Sequence, residues 1–168
     1  MKRSETAEPR KASDKILAGA RLGARLRAFR RSGRKLVFTN GCFDILHLGH
    51  VRYLQAARRK GQALFIGLNS DASVRRLKGP DRPLNDQRSR AEVLAALECV
   101  DFVCVFTEDT PERLIRRVRP DLLVKGGDWK KEQIAGGAFV ESYGGKVLLI
   151  PYVDGHSTTG LVKRIRKA

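Results

Sequence analysis

The sequence predicts an α/β fold in which helices cover both faces of a five-stranded parallel sheet. Short apolar runs alternate along the chain with segments whose apolar residues recur at helical spacing, the pattern of strands buried on both faces. The loop after the first run contains a glycine and leads directly into a helix. A chain of 168 residues suits one domain. We therefore expect a single, doubly wound, Rossmann-like domain.

The chain is predicted to begin with a tail and one long helix. Residues 1–13 are polar and basic, and we expect them to be disordered. The folded domain is expected over 14–168 and starts with a helix over 14–32, which Asp14 is placed to cap. One apolar stripe marks the inner face of this helix: Leu22, Leu26 and Phe29.

Strands and helices alternate through the rest of the chain. The apolar runs predict strands over 36–38, 63–68, 102–106, 120–124 and 146–150. Helical spacing predicts helices over 51–57, 72–77, 87–97, 111–118 and 138–142, and a last helix capped by Ser157. In the helix over 87–97 the apolar residues Val93, Leu94 and Leu97 keep helical spacing, and in the last helix Leu161, Val162 and Ile165 are expected to point inward. Ligands of such sheets bind beyond the carboxyl ends of the strands, where the strand order reverses.

The composition argues against several classes of protein. No apolar run is long enough to cross a bilayer, and the amino-terminus lacks the apolar segment of a secretory signal. The three cysteines form no C-x-x-C pair, which argues against both a disulfide framework and a zinc knuckle. We therefore predict a cytoplasmic protein with no membrane partner.

The net charge of +16 has two interpretations. One is affinity for nucleic acid or a membrane surface. The other is a set of solvated helix faces together with a site for polyanionic nucleotides. The chain has no basic run with interleaved aromatic residues of the kind that single-strand binders use. We favour the second interpretation and do not expect nucleic acid as a partner.

Residues 38–50, F-T-N-G-C-F-D-I-L-H-L-G-H, form the most informative stretch of the sequence. A strand, a glycine-containing loop and a helix start point free backbone N–H groups and the positive end of a helix dipole at one place, which favours phosphate binding. His47 and His50 add two imidazoles there. Their spacing also suits a metal pair, but no third ligand is evident, so we favour contact with phosphate.

The loop before these histidines supplies further candidates for nucleotide binding. They are Thr39, Asn40, Gly41, Cys42 and Phe43, with Gly49 between the histidines. Gly41 allows close approach of the backbone, and the hydroxyl of Thr39 can hydrogen-bond a phosphate. Nothing assigns Cys42 a general base, so a nucleophilic role is not favoured. Asp44 is expected to hold the loop rather than to bind a metal.

Three cationic residues in the middle of the chain are candidates for phosphate contact. Lys78 follows the helix after the second strand, where its long side chain can extend over the crevice as a point charge. A solvated loop lysine is the alternative. Arg88 and Arg90 open the helix over 87–97 as candidates for sugar-phosphate or ribose contact. The same helix face equally suits a subunit contact, and the sequence does not decide between the two.

The last two candidate groups follow the fourth and fifth strands. Lys125 and Gly126 lie in K-G-G-D, a glycine-rich turn at a strand's carboxyl end, and Asp128 offers an acceptor for a sugar, a ribose or a base. Ser157, Thr158 and Thr159 bring hydroxyls and free N–H groups to a helix start. Capping by Ser157 explains one of these hydroxyls but not all three.

Four motifs together resemble one enzyme family. They are T-N-G-C-F-D-x-x-H-x-G-H (39–50), N-S-D-A-S-V-R-R-L-K-G (69–79), V-K-G-G-D-W (124–129) and D-G-H-S-T-T (154–159). The set resembles the HxGH nucleotidyltransferases, which include cytidylyltransferases and phosphopantetheine adenylyltransferases. It is most similar to the branch that adenylates heptose 1-phosphate. The arginine of the cytidylyltransferase pattern R-T-x-G-I-S-T-T is absent from Y-V-D-G-H-S-T-T (152–159).

The resemblance implies a reaction and roles for the residues. His47, His50 and Lys78 would be catalytic in transferring AMP from ATP to D-glycero-D-manno-heptose 1-phosphate, with release of pyrophosphate. Mg²⁺ would be carried by ATP without a protein metal site, strands one and four would be neighbours, and the protein would be a homodimer. Two rivals remain open: transfer to glycerol phosphate, phosphoethanolamine or phosphopantetheine, and a non-catalytic basic module that binds nucleic acid.

Overall fold

The computed structural model describes residues 11–127, 129–151 and 158–165. Five strands form one parallel sheet in the order β3-β2-β1-β4-β5. The strands are β1 (Leu36–Gly41), β2 (Ala63–Asn69), β3 (Phe102–Phe106), β4 (Leu122–Gly126) and β5 (Lys146–Ile150). The predicted doubly wound α/β fold is confirmed, and β1 and β4 are neighbours as the resemblance implied.

Helices connect and cover the strands. They are α1 (Ala12–Lys15), α2 (Gly19–Arg31), α3 (Leu48–Arg58), α4 (Asp71–Lys78), α5 (Gln87–Ala96), α6 (Glu112–Val118), α7 (Gly137–Ser142) and α8 (Thr158–Ile165), with a 3₁₀ turn at Lys131–Gln133. Ser70 caps α4 and Asp86 caps α5 through hydrogen bonds to backbone N–H groups three residues on. In the described part of the chain, no helix combines the length and apolar character that a bilayer span requires.

Two apolar layers lie on opposite faces of the sheet because side chains alternate along each strand. On one face Phe38 and Phe65 stack with ring centroids 5.7 Å apart, and α2 packs against them. On the other face Val37 and Ile66 share a cluster with Leu54 of α3. The predicted inner stripe of α2 is confirmed, since each of its three residues is buried: Leu22, Leu26 and Phe29.

The prediction of one continuous helix over 14–32 is wrong. The chain leaves the helical conformation after α1 and passes beside the free edge of β3. There Ile16 bridges Val103, and the N–H of Leu17 donates to the carbonyl of Val103 at 2.8 Å. Burial of Leu17 and this backbone hydrogen bond replace helix continuity. Asp14 lies inside α1 rather than at its cap, and residues 1–10 of the predicted tail lie outside the described residues.

Ile165, which was predicted to point inward, is exposed, and so is Val93, one of the apolar residues at helical spacing in α5. Val93 is 52% exposed and Ile165 is 64% exposed. In α5 the buried face contains Arg90, Ala91 and Leu94 together with Ala95. Because the guanidinium of Arg90 occupies an inner position, Val93 falls on the solvent side of the helix.

The sheet opens between β1 and β4 at their carboxyl ends. Strand β1 pairs with β2 along its whole length, from Leu36 to Gly41. Its pairing with β4 consists of Val37 with Leu122 and Phe38 with Leu123. Both strands continue beyond these pairs, so their last residues border a crevice at the point where the strand order reverses.

Candidate active site

The two histidines of the motif lie side by side at the start of α3. His47 is the residue before the helix, with extended backbone, and His50 lies in its first turn. Their rings stack with centroids 3.9 Å apart and planes inclined by 29°. Both residues are partly exposed. The pair therefore lies where a helix dipole and free N–H groups favour a phosphate.

Phe43 packs against the histidine pair through a contact with the His50 ring. Its backbone has a φ of +44°, and its buried ring lies 5.3 Å from the His50 ring, centroid to centroid. A Cβ added at Gly41 would lie 3.0 Å from the Phe43 ring. A side chain at position 41 would therefore press on the Phe43 ring, which would have to shift by a few tenths of an ångström. Phe43 therefore packs against the histidine pair, and its contact with a nucleotide stays a prediction.

The pKa of His50 is lowered to about 4, because burial disfavours its charged form and His47 adds repulsion, while a hydrogen bond to the backbone of Ile45 opposes the shift. At neutral pH His50 is therefore an uncharged imidazole. The uncharged ring has one N–H, which the Ile45 backbone engages, so a second N–H for an anion becomes available only when the ring is protonated.

Asp44 holds the motif loop against the segment before α5, as predicted. Its carboxylate accepts hydrogen bonds from the N–H groups of Leu84 and Asn85, at 2.8 and 2.9 Å, and forms an ion pair with Arg82 at 2.7 Å. The amide of Asn85 donates to the Asp44 carbonyl in return. A carboxylate engaged in this way has a structural role and is not offered to a metal.

The prediction that Arg90 binds a substrate phosphate or ribose is wrong. Arg90 is 2% exposed. Its guanidinium forms an ion pair with Asp71 at 2.7 Å and donates to three backbone carbonyls: those of Cys42, Asn69 and Asn85. Arg90 therefore joins the motif loop to the end of β2. Arg88 is exposed and pairs with Glu92 at 3.5 Å, so a substrate contact by Arg88 stays a prediction.

The hydroxyl of Thr39 is not available to a phosphate, contrary to prediction. Thr39 is fully buried, and its Oγ1 lies 2.7 Å from the hydroxyl oxygen of Tyr53. The neighbouring Asn40 differs, because its Oδ1 is buried and accepts no hydrogen bond from the described residues. Asn40 therefore has a buried acceptor that is unsatisfied among the described residues, and its contact with a nucleotide stays a prediction, whereas Thr39 belongs to the framework.

Two lysines lie around Cys42. Burial raises the pKa of the Cys42 thiol, and the charges of Lys78 and Arg90 partly oppose that shift. The thiol is therefore protonated at neutral pH, in agreement with the prediction that Cys42 is not a nucleophile.

Lys78 ends α4 and is exposed. Burial lowers the pKa of Lys125 to about 8, with Cys42 opposing the shift, and the Lys125 ammonium lies 5.7 Å from the Trp129 ring centroid.

The remaining predicted residues lie around the same crevice or outside the described chain. Gly49 is in the first turn of α3 and Gly126 ends β4. The hydroxyl of Thr158, at the start of α8, donates to the carbonyl of Ile45 at 3.5 Å, which brings α8 to the motif loop. Asp128, Ser157 and the side chain of Thr159 lie outside the described residues.

The sequence stretches that meet at this crevice match one family model, described as cytidylyltransferase-like, over residues 38–153. The chain belongs to the cytidylyltransferase-like family. The resemblance to the HxGH nucleotidyltransferases and the prediction of an enzyme of that class are thereby confirmed.

Curated relatives and a solved structure agree with this assignment. "Bifunctional protein HldE" of Trichlorobacter lovleyi is 56% identical over 94% of this chain, and the protein of the same name from Syntrophotalea carbinolica is 62% identical over 81%. The chain spans only 32% and 28% of their lengths. The crystal structure of the lipopolysaccharide core biosynthesis protein from Thermoplasma volcanium is 29% identical, with a TM-score of 0.58, over 72% of this chain and 98% of that one.

Sequence analysis missed one residue of the site, Tyr53. Its hydroxyl lies against Thr39 and donates to the carbonyl of Val124 at 3.2 Å. The available signal was its position three residues after His50, which puts both side chains on one face of α3.

The depressed pKa of Lys125 predicts an alkaline loss of nucleotide affinity in this cytidylyltransferase-like site. Lys125 attracts phosphate only when protonated, and the protonated fraction falls as the pH rises through about 8. We therefore expect kcat/KM for the nucleotide, which reports the free enzyme, to fall above that pH. In Lys125→Arg, whose guanidinium stays charged, the fall should disappear. An unchanged alkaline fall in Lys125→Arg would assign it to another group.

Proposed function

We propose that this chain transfers AMP from ATP to a sugar 1-phosphate, D-glycero-D-manno-heptose 1-phosphate. The observation that carries the proposal is the stacked pair of His47 and His50 at a helix N-terminus, at the crevice that Lys125 also borders. The choice of acceptor is supported by the name of the solved relative, a lipopolysaccharide core biosynthesis protein. It is also supported by the D-G-H-S-T-T motif, which resembles the heptose branch.

The proposed step is an in-line substitution at the α-phosphorus of ATP. An oxygen of the acceptor's phosphate forms the new P–O bond, the bond from the α-phosphorus to the bridging oxygen breaks, and pyrophosphate leaves with that electron pair. His47 and His50 hydrogen-bond the phosphate oxygens on which charge develops, and the ammonium groups of Lys78 and Lys125 attract the polyphosphate. Catalysis is then positioning plus electrostatic stabilisation, without a covalent intermediate.

Mg²⁺ fits this proposal as a companion of the nucleotide. Among the described residues, no group of three or more His, Cys, Asp or Glu side chains is arranged to hold a metal ion. The motif's own carboxylate, that of Asp44, is held by Arg82 and two amides. Mg²⁺ would therefore be held mainly by the phosphates of ATP and by water, as this ion prefers, and would neutralise charge on the leaving pyrophosphate.

A panel of nucleotides and acceptors tests the reaction. ATP and CTP are each combined with heptose 1-phosphate, glycerol 3-phosphate, phosphoethanolamine and phosphopantetheine, and pyrophosphate release is followed. We expect turnover with ATP and heptose 1-phosphate to exceed every other pair. Preference for CTP or for a non-sugar acceptor would replace the proposal with another member of the family. Salt-dependent binding of nucleic acid without turnover would favour the non-catalytic rival.

Two further expectations belong to the proposal. The resemblance implies a homodimer, which sedimentation of the purified chain tests. We also expect the protein in the cytoplasm, because ATP and a sugar phosphate are both available in that compartment.

A further inference from the structure

We propose that the hydroxyl of Tyr53 is a positioning group that ties together the three parts of the nucleotide site: the histidine helix, the motif loop and the Lys125 turn. The inference rests on the proposed function, because it assigns a role within that reaction. It starts from a single oxygen atom that contacts two strands at the place where they separate.

The hydrogen bonds of Tyr53 have a defined direction. A carbonyl only accepts, so the one hydrogen of the Tyr53 hydroxyl is donated to Val124, at 3.2 Å. The hydroxyl of Thr39, 2.7 Å away, must then be the donor to the Tyr53 oxygen. Thr39, Tyr53 and Val124 form a short relay in which each hydroxyl is both oriented and satisfied.

This relay lies where the backbone pairing between β1 and β4 ends. The last paired residues are Phe38 and Leu123. The next residues in register are Thr39 and Val124, which are the two partners of Tyr53. The phenol therefore joins the two strands at the opening of the crevice, at the level where the backbone pairing stops.

Each contact of the relay leads directly to a residue of the site. The carbonyl of Val124 belongs to the planar peptide unit that links Val124 to Lys125. Its hydrogen bond to Tyr53 therefore fixes the orientation of that peptide unit, and with it the backbone position of Lys125. Thr39 precedes Asn40, whose Oδ1 is buried without a partner among the described residues. Tyr53 itself lies one helical turn after His50 on the same face of α3.

The positioning role of Tyr53 can be separated from the packing of its ring, because positioning requires only the hydroxyl group. In Tyr53→Phe the ring keeps its apolar contacts, while Thr39 and Val124 lose their common partner. The loss of these hydrogen bonds removes a restraint on the position of the Lys125 turn relative to the two histidines. Because small displacements of reacting groups are costly, kcat should fall by about 10- to 100-fold, with a much smaller change in KM for ATP.

Tyr143→Phe provides a matched control. The Tyr143 hydroxyl donates to the carbonyl of Pro120 at 2.7 Å, just before the amino end of β4. Tyr143 is partly buried, as Tyr53 is. Both substitutions remove one phenol-to-carbonyl hydrogen bond. Tyr53→Phe also removes the partner of the buried Thr39 hydroxyl, so it should lower the urea midpoint of unfolding more than Tyr143→Phe does. Only the change at Tyr53 lies at the crevice.

The experiment compares wild type, Tyr53→Phe, Thr39→Val, their double variant and Tyr143→Phe. Turnover with ATP and heptose 1-phosphate is measured together with the fluorescence of Trp129, the single tryptophan of the chain, four residues after Lys125. We expect Tyr53→Phe and Thr39→Val to lower kcat non-additively and Tyr53→Phe to alter Trp129 emission, whereas Tyr143→Phe does neither.

The outcomes separate this inference from the proposed function. A Tyr53→Phe variant that matches Tyr143→Phe in both kcat and fluorescence overturns the positioning role, and so does altered fluorescence with unchanged kcat. A wild-type protein without turnover on any pair of substrates overturns the proposed function instead. In that case the fluorescence comparison still decides whether Tyr53 holds the Lys125 turn, because it requires no reaction.

Discussion

Replacing His47 or His50 with alanine should lower kcat for AMP transfer by about 100- to 1000-fold, the usual cost of removing one donor that stabilises developing charge on an oxyanion. The expectation follows from the position of the two stacked rings at the start of α3. A bound polyphosphate would also favour protonation of His50, whose pKa is about 4 in the free protein, and the protonated ring has a second N–H to donate. Steady-state pyrophosphate release from ATP and heptose 1-phosphate measures the loss.

The histidine variants should remain folded, because both rings are partly exposed and lie at a helix start rather than in the apolar interior. Thermal unfolding followed by circular dichroism checks this. If the double variant His47→Ala/His50→Ala keeps turnover within a few-fold of wild type, the histidines are not the catalytic donors. If it loses turnover only because it unfolds, the ring pair is structural.

Arg90→Met should lower the free energy of unfolding by about 3–5 kcal/mol, the usual cost of removing one partner of a buried ion pair. The methionine would fill part of the space of the guanidinium. It would leave Asp71 without its 2.7 Å ion pair, and the carbonyls of Cys42, Asn69 and Asn85 without their donor. Chemical denaturation with urea gives the change in the free energy of unfolding.

Arg88→Met is the matched control, since it makes the same chemical change two residues away on the same helix. Arg88 is exposed and its only described ion pair, with Glu92, is a surface pair at 3.5 Å. Its replacement should alter the free energy of unfolding by no more than about 0.5 kcal/mol. Equal destabilisation by the two substitutions would show that the buried network around Arg90 is not what holds the motif loop.

The strands were the most predictable part of the fold. The runs 102–106 and 146–150 are strands with the predicted bounds, because strands covered on both faces require continuous apolar sequence. The ends of the other strands were less predictable. β1 continues to Gly41 through the polar residues Thr39 and Asn40, where pairing with β2 rather than local hydrophobicity maintains the strand.

The roles of individual polar side chains were harder to predict, since they depend on distant partners. Arg90 has the sequence context of an exposed helical arginine, yet its partners come from the motif loop, the end of β2, α4 and the segment before α5. Thr39 likewise finds Tyr53, fourteen residues away along the chain. Periodicity gives the face of a helix or strand, but it does not show which carbonyls a guanidinium will reach.

The break in the amino-terminal helix illustrates the same limit. Residues 14–32 have a pattern compatible with one helix, and local propensity offers no stop before Gly19. The free edge of β3 supplies a backbone acceptor for Leu17 and a buried site for its side chain. This tertiary gain outweighs helix continuity, and it becomes visible only when the sheet is assembled.

A crystal structure of the chain with a non-hydrolysable ATP analogue and heptose 1-phosphate would show whether His47 and His50 bind the phosphates of ATP. The account predicts that oxygens of the α-phosphate lie within hydrogen-bond distance of both His47 and His50, with the Lys125 ammonium on the polyphosphate. The contradicting result involves a cavity of about 390 Å³ that is lined by Arg52, Tyr53 and Arg59 of α3 and by Ile150 at the end of β5. A triphosphate bound there, with the two imidazoles free of it, would show that the histidine pair is not the nucleotide site.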